Sequence, residues 1–203
     1  MSKDSYDIGA GDICLDFANT NDWHASDHPI ENLHNYYDLV DWGKAATFLS
    51  PELAGRLLIL ANEHPEDAAR AYDDAIQLRE AIYRIFSNRY SGKPIAEGDL
   101  AALNSIVCEA LAHRQLVPAG NGFEWDWKAN DDGINLILWT IATDAAELLT
   151  SDKVSRVRQC EDDRGCGYLF IDTSKNHSRR WCSMESCGNR AKARRHYSRS
   201  KKE

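Results

Sequence analysis

The chain has 203 residues, 43% of them hydrophobic, and a formal net charge of −8, which allows one ordinary domain with a sizeable core plus a small appendage. No stretch approaches the ~18 consecutive apolar residues of a membrane span, and the opening MSKDSYDIGAGDICLDF has no apolar run behind a basic start, so the expectation is a cytoplasmic chain with no membrane contact and reduced cysteines. Charge is unevenly divided: residues 1–150 carry 10 Lys/Arg against 25 Asp/Glu and residues 151–203 carry 14 against 7, an acidic body of −15 followed by a basic module of +7.

Such a division suits a module that meets a polyanion, fixed to a body that a polyanion would repel; a solvated basic tail is the plainer alternative. No internal repeat is present. In chain order, GDICLDFANT (Gly11 to Thr20) alternates Ile13, Leu15 and Phe17 with Cys14 and Asp16 and predicts a short strand before a polar turn. NLHNYYDLVDWGKAATFL sets Leu33, Tyr36, Tyr37, Val40 and Ala45 at helical spacing, and Ser50 with Pro51 supplies a cap and first turn for SPELAGRLLILANEH. The strongest helix, PEDAARAYDDAIQLREAIYRIFSNRYSG, carries a stripe through Ala68, Ala75, Leu78, Ile82 and Phe86 and stops at Gly92 and Pro94. AEGDLAALNSIVCEALAHR continues with Leu100, Leu103, Val107 and Leu111, and Cys108 beside that stripe reads as a buried thiol. GFEWDWKAN predicts a strand or hairpin piece with Trp125 and Trp127 on one face, and DDGINLILWTIATDAAELLTSD a further helix. The fold expected is mainly α with minor β over residues 1–152, then a small module over 153–203 packed on it, because the junction has no Pro/Gly/Ser-rich spacer.

Cys160, Cys166, Cys182 and Cys187 follow the pattern C-x5-C, fifteen residues, C-x4-C. In a reducing compartment two cysteine pairs around such an insert read as a tetrahedral Zn²⁺ site, since four thiolates at ~2.3 Å suit a borderline-soft d¹⁰ ion. The metal would also supply the ~10–16 kcal/mol of apparent binding free energy that a module too small for its own core lacks. A redox dithiol pair, a disulfide framework and an iron–sulfur cluster are the competing readings. The insert GYLFIDTSKNHSRRW alternates Tyr168, Phe170 and Asp172 with Leu169 and Ile171 and predicts a β-hairpin returning through Arg180 and Trp181; the helix formers after Cys187 predict a C-terminal helix, a treble-clef-like order.

CGYLFIDTSKNHSRRW followed by CSMESCGNRAKARRHY resembles the CGNR zinc finger, Cys187-Gly188-Asn189-Arg190 being that tetrapeptide, and LDFANT with the helices after it looks like the ABATE domain of a bacterial family of stress-induced transcriptional regulators. The resemblance spans nearly the whole chain and implies an α-rich N-terminal domain with a zinc-binding, DNA-binding C-terminus.

On a helix starting near Cys187, Arg190, Lys192, Arg194 and Arg195 put cations on successive turns, Asn189 beside them is able to contact a base, and Arg179 and Arg180 add a second cluster. Guanidinium forks suit phosphate oxygens, so these residues are the candidate nucleic-acid contacts. Asn189 is equally a cap or turn residue, and an ion pair with the acidic body is the alternative for Arg190. In the polar run after Phe17, an enzyme would use Asp16 or Asp22 as a base beside His24, or His24 and His28 as metal ligands, whereas Asx residues in turns mostly satisfy backbone. A third reading is a small-molecule pocket formed by Asp16, Asn19, Trp23, His24 and Tyr37. The function expected is a DNA-binding regulator whose body senses a small ligand or contacts a partner, rather than an enzyme. The alternatives are an enzyme, or an RNA- or protein-binding module, with zinc purely structural.

Overall fold

The computed structural model describes residues 6–128 and 133–200, the side chains of 195, 196 and 198–200 excepted. Its first element is a helix, α1 (Ile13–Ala18), where the sequence predicts a strand. The reason is burial on every side: Cys14, Leu15, Asp16, Phe17 and Ala18 are all buried, so no solvent face exists to give a helical period. α1 lies in the centre of the body against the helices Pro65–Ser91 and Leu136–Thr150 and the strand Leu169–Ile171, and the Phe17 ring packs on Trp42 with centroids 5.0 Å apart. Two short strands, β1 (Asn21–Asp22) and β2 (Ile30–Glu31), pair antiparallel after it.

The next helices begin and end where local chemistry directs. α2 (Tyr36–Ala45) is capped by the Asn35 side chain, which accepts the Asp38 N–H, and α3 (Pro51–Glu63) by Ser50 with proline in its first turn. α4 (Pro65–Ser91) starts with Glu66 and Asp67 and ends with Gly92 in the left-handed region at φ 69°, a conformation only glycine adopts freely. α5 (Glu97–Ala112) buries Leu103 and Ala110 but leaves Leu100 and Leu111 exposed. Cys108 is exposed too, which corrects the buried-thiol reading: it falls between the two buried positions on the outer side. A hairpin of β3 (Arg114–Ala119) and β4 (Gly122–Trp127) follows, with Arg114 lying over the rings of both Trp125 and Trp127. α6 (Leu136–Thr150) is the most buried long helix and packs on α5, α4 and α1.

A 3₁₀ turn, Asp152–Arg156, leads into β5 (Val157–Gln159), which pairs antiparallel with β6 (Leu169–Ile171), Val157 opposite Ile171. A π-type turn, Met184–Gly188, opens α7 (Asn189–Ser200). The hairpin expected inside the 168–181 insert does not form: β6 turns back to the strand before the first cysteine, and the return arm through Arg180 and Trp181 is not a strand. The cause is that all three β6 residues are buried, Leu169 and Ile171 in the core of the body and Phe170 among the cysteines. The C-terminal segment therefore shares the main core through Val157, Leu169 and Ile171.

Candidate metal centre

The four cysteines come together because several local devices fold a small segment around them. Cys160 follows β5 directly, its N–H donating to the Tyr168 carbonyl at 2.8 Å. The loop to Cys166 closes on Asp162, whose carbonyl accepts the Gly165 N–H at 3.0 Å. Gly165 has φ +88°, and a Cβ there would lie 2.5 Å from Ser26 Cα, so the turn demands glycine on both conformational and steric grounds. Asp172, fully buried, accepts the N–H groups of Ser174 at 2.9 Å and Arg179 at 2.8 Å and turns the chain back toward Cys182. Beyond it the Ser183 side chain accepts from Glu185 N and Ser186 N, shaping the turn that presents Cys187 at the head of α7.

All four Sγ atoms lie within 4.8 Å of one another, with Cys166–Cys182 at 3.7 Å and Cys182–Cys187 at 3.5 Å. A tetrahedron with ~2.3 Å metal–sulfur bonds has edges of ~3.8 Å, so the donor set and spacing fit a tetrathiolate cage. Cys160 and Cys187 are buried, and Phe170, Tyr168 and Trp181 pack around the group. Left to themselves the sulfurs oppose shared ionisation: contact with Cys160 raises the Cys166 and Cys182 thiols, and burial raises Cys187. A divalent cation at the centre reverses that preference, because metal binding deprotonates its thiol ligands. With no open position the metal would hold the fold and leave no site for substrate.

Residues 11–152 match the sequence profile of ABATE, described as "Putative stress-induced transcription regulator". The chain belongs to the ABATE family. Residues 156–200 match the CGNR zinc finger, and the clustered cysteines form that finger. No curated protein matches the chain.

In this ABATE protein Arg164, Arg179, Arg180, Arg190 and Arg194 of the finger are engaged within the chain. Arg190 Nε donates to Asp162 Oδ2 at 3.1 Å and its Nη2 to Cys187 Sγ at 2.8 Å, while its guanidinium lies 5.3 Å from the Trp23 ring centroid. Arg194 Nη2 donates to Asp162 Oδ1 at 3.1 Å and also pairs with Asp163. Burial raises the Asp162 carboxyl, but bonds from Arg164, Arg190 and Arg194 more than offset this and hold it well below the usual range. Arg179 donates to the carbonyls of Trp181 and Cys182 and lies over Phe170, clamping the approach to the third ligand. Arg180 pairs with Glu161 at 2.6 Å and Asn189 Nδ2 bonds the Glu185 carbonyl, a turn role. Lys192 is exposed; the Arg195 side chain lies outside the described residues. Composition signalled the cations, whereas the buried Asp162 beneath them carries no signal in the sequence.

The polar run of the ABATE domain is dispersed into structural tasks. Asp16 accepts the N–H groups of Gly9 and Ala10, both at 2.8 Å, and Asn19 forms paired bonds with Leu169. His24 Nε2 lies 2.9 Å from Glu80 Oε2 and its ring stacks on Tyr83 at 3.4 Å. Among the described residues, the pocket expected from Asp16, Asn19, Trp23, His24 and Tyr37 is divided between separate places. Asn19 and Trp23 line a cleft beside Cys166, Cys182 and Cys187, whereas Tyr37 sits in a separate groove on α2 and bonds Asn62. Asp16 and His24 line neither of these, because backbone and Glu80 occupy them.

Proposed function

We propose that the protein is a cytoplasmic, stress-responsive DNA-binding regulator of the bacterial type, in which Zn²⁺ in the Cys160, Cys166, Cys182, Cys187 cage fixes a basic helix for contact with phosphates. It acts by binding rather than catalysis. The observation that carries this reading is the division of labour along α7. Arg190 and Arg194 tie the helix to Asp162, and Lys192 is left exposed on a segment that goes on through Arg195 and Arg199. A body of net −15 beside it supplies repulsion that confines a polyanion to the finger. The family description supports the regulatory role.

The test is duplex-DNA binding by the zinc-loaded chain at several salt concentrations. The logarithm of affinity is expected to fall linearly with the logarithm of salt, with slope about −0.9 per phosphate neutralised. Lys192→Gln is expected to shallow that slope by about one while leaving the finger folded. A flat salt dependence, or none of this loss on removing Lys192 and Arg195 together, contradicts the reading.

A further inference from the structure

Between the loop after β1 and the metal cage lies a cleft of about 170 Å³. Asp7, Asp22 and Trp23 form its body side, and Cys166, Cys182 and Arg190 its finger side. Trp23 is held at φ 56°, the left-handed region that a bulky residue seldom occupies. Two guanidinium groups of the chain, Arg164 at 5.0 Å and Arg190 at 5.3 Å, already lie over its ring.

The charges around the cleft do not balance. Asp7 is exposed and forms no hydrogen bond or ion pair with the described residues. Burial raises the Asp22 carboxyl, a bond from Asn32 lowers it again, and Asp7 adds to the rise, which places the two carboxylates within Coulombic reach of each other. Four thiolates around one divalent ion would leave a net charge of about −2 at the floor. Arg190 is the sole cation among the lining residues, and Asp162 and Cys187 Sγ already share its charge. An anion would meet repulsion from three sides, and a neutral molecule would leave the carboxylates unmatched.

We infer that this cleft binds a small organic cation, its N–H groups directed at Asp7 and Asp22 and its face against Trp23. The ligand competes with Arg190 for the same ring, and Arg190 stands in the first turn of α7, so occupancy acts on the helix proposed to meet DNA. That coupling rests on the proposed function; the binding does not.

The experiment titrates the full zinc-loaded chain with methylguanidinium chloride, following the Trp23 indole N–H by NMR, with that signal assigned from Trp23→Phe. The controls are N-methylurea, which has nearly the same shape without charge, and sodium chloride at equal ionic strength. The expected result is a saturable shift with methylguanidinium only, weakened about fivefold in Asp7→Asn. Asp7 is exposed and pairs with none of the described residues, so that variant is expected to retain the fold. Equal binding of N-methylurea, an unchanged affinity in Asp7→Asn, or no saturation overturns the site. In a second arm methylguanidinium is expected to alter duplex-DNA affinity in the parent chain and not in Asp7→Asn. An unaltered affinity overturns the coupling. If no DNA binds at all, the nucleic-acid reading falls while a saturable, Asp7-dependent titration still upholds the site.

Discussion

Asn19 and Leu169 face one another as residues of two paired strands would: Asn19 Nδ2 donates to the Leu169 carbonyl at 2.8 Å, and the Leu169 N–H donates to Asn19 Oδ1 at 2.9 Å. One side chain thereby satisfies both backbone groups of a buried finger residue from the end of α1 in the body. Cys166 lies three positions before Leu169, so this pairing also fixes the metal segment to the helical core.

Asn19→Ala leaves a buried N–H and a buried C=O without partners, each with a desolvation penalty of ~1–3 kcal/mol. The expected loss in chemical denaturation is about 2–4 kcal/mol, with faster amide exchange at Leu169. A variant as stable as the parent would show that water replaces the amide without penalty.

Asp162 gathers Arg164, Arg190 and Arg194 on a side chain with 0% exposure. Asp162→Asn keeps the shape and removes the charge, and the arginines are about one-third exposed or more, so the expected destabilisation is only about 1–3 kcal/mol. Hydrogen exchange over residues 189–194 reads the effect directly: protection should drop there and remain in α4. Unchanged protection would mean that the cage alone orients α7.

Asp144 reaches from α6 to accept the Cys14 N–H at 2.8 Å, and burial followed by its hydrogen bond with Asp12 pushes its carboxyl up to about 7. A carboxyl whose folded pKa is raised holds more protons folded than unfolded between about pH 4 and 7, so stability falls as pH rises through that window. Asp144→Asn can still donate to Asp12 and accept from Cys14. It should flatten the pH dependence and be more stable at about pH 8, by ~1–3 kcal/mol. Parallel profiles of melting temperature against pH would refute the shared proton.

Legibility from sequence followed the physics of each element. α3 and α4 announce themselves through Ser50, Pro51, Pro65 and Gly92, since caps and breakers act locally. α1 gives no helical signal because buried residues all round erase the period, and β3 gives no clear strand signal because Pro118 interrupts its pattern. The cysteine spacing was legible as a cage because ligand type and count survive without coordinates. The partner of β6 was not, since local alternation cannot tell a strand returning to Val157 from one folding onto Trp181. Nor was the fate of the arginines: charge appears in a sequence, but the burial of Asp162 that recruits Arg190 and Arg194 is a tertiary fact.

The finger depends on four sulfurs sharing one ion, and elemental analysis of the purified chain together with Cys187→Ser is the sharpest test of that ion. The expected result is about one zinc per parent chain, a much weakened site in the variant, and loss of order over residues 156–200 when a chelator is added. A parent chain that is metal-free yet keeps that segment folded would contradict it.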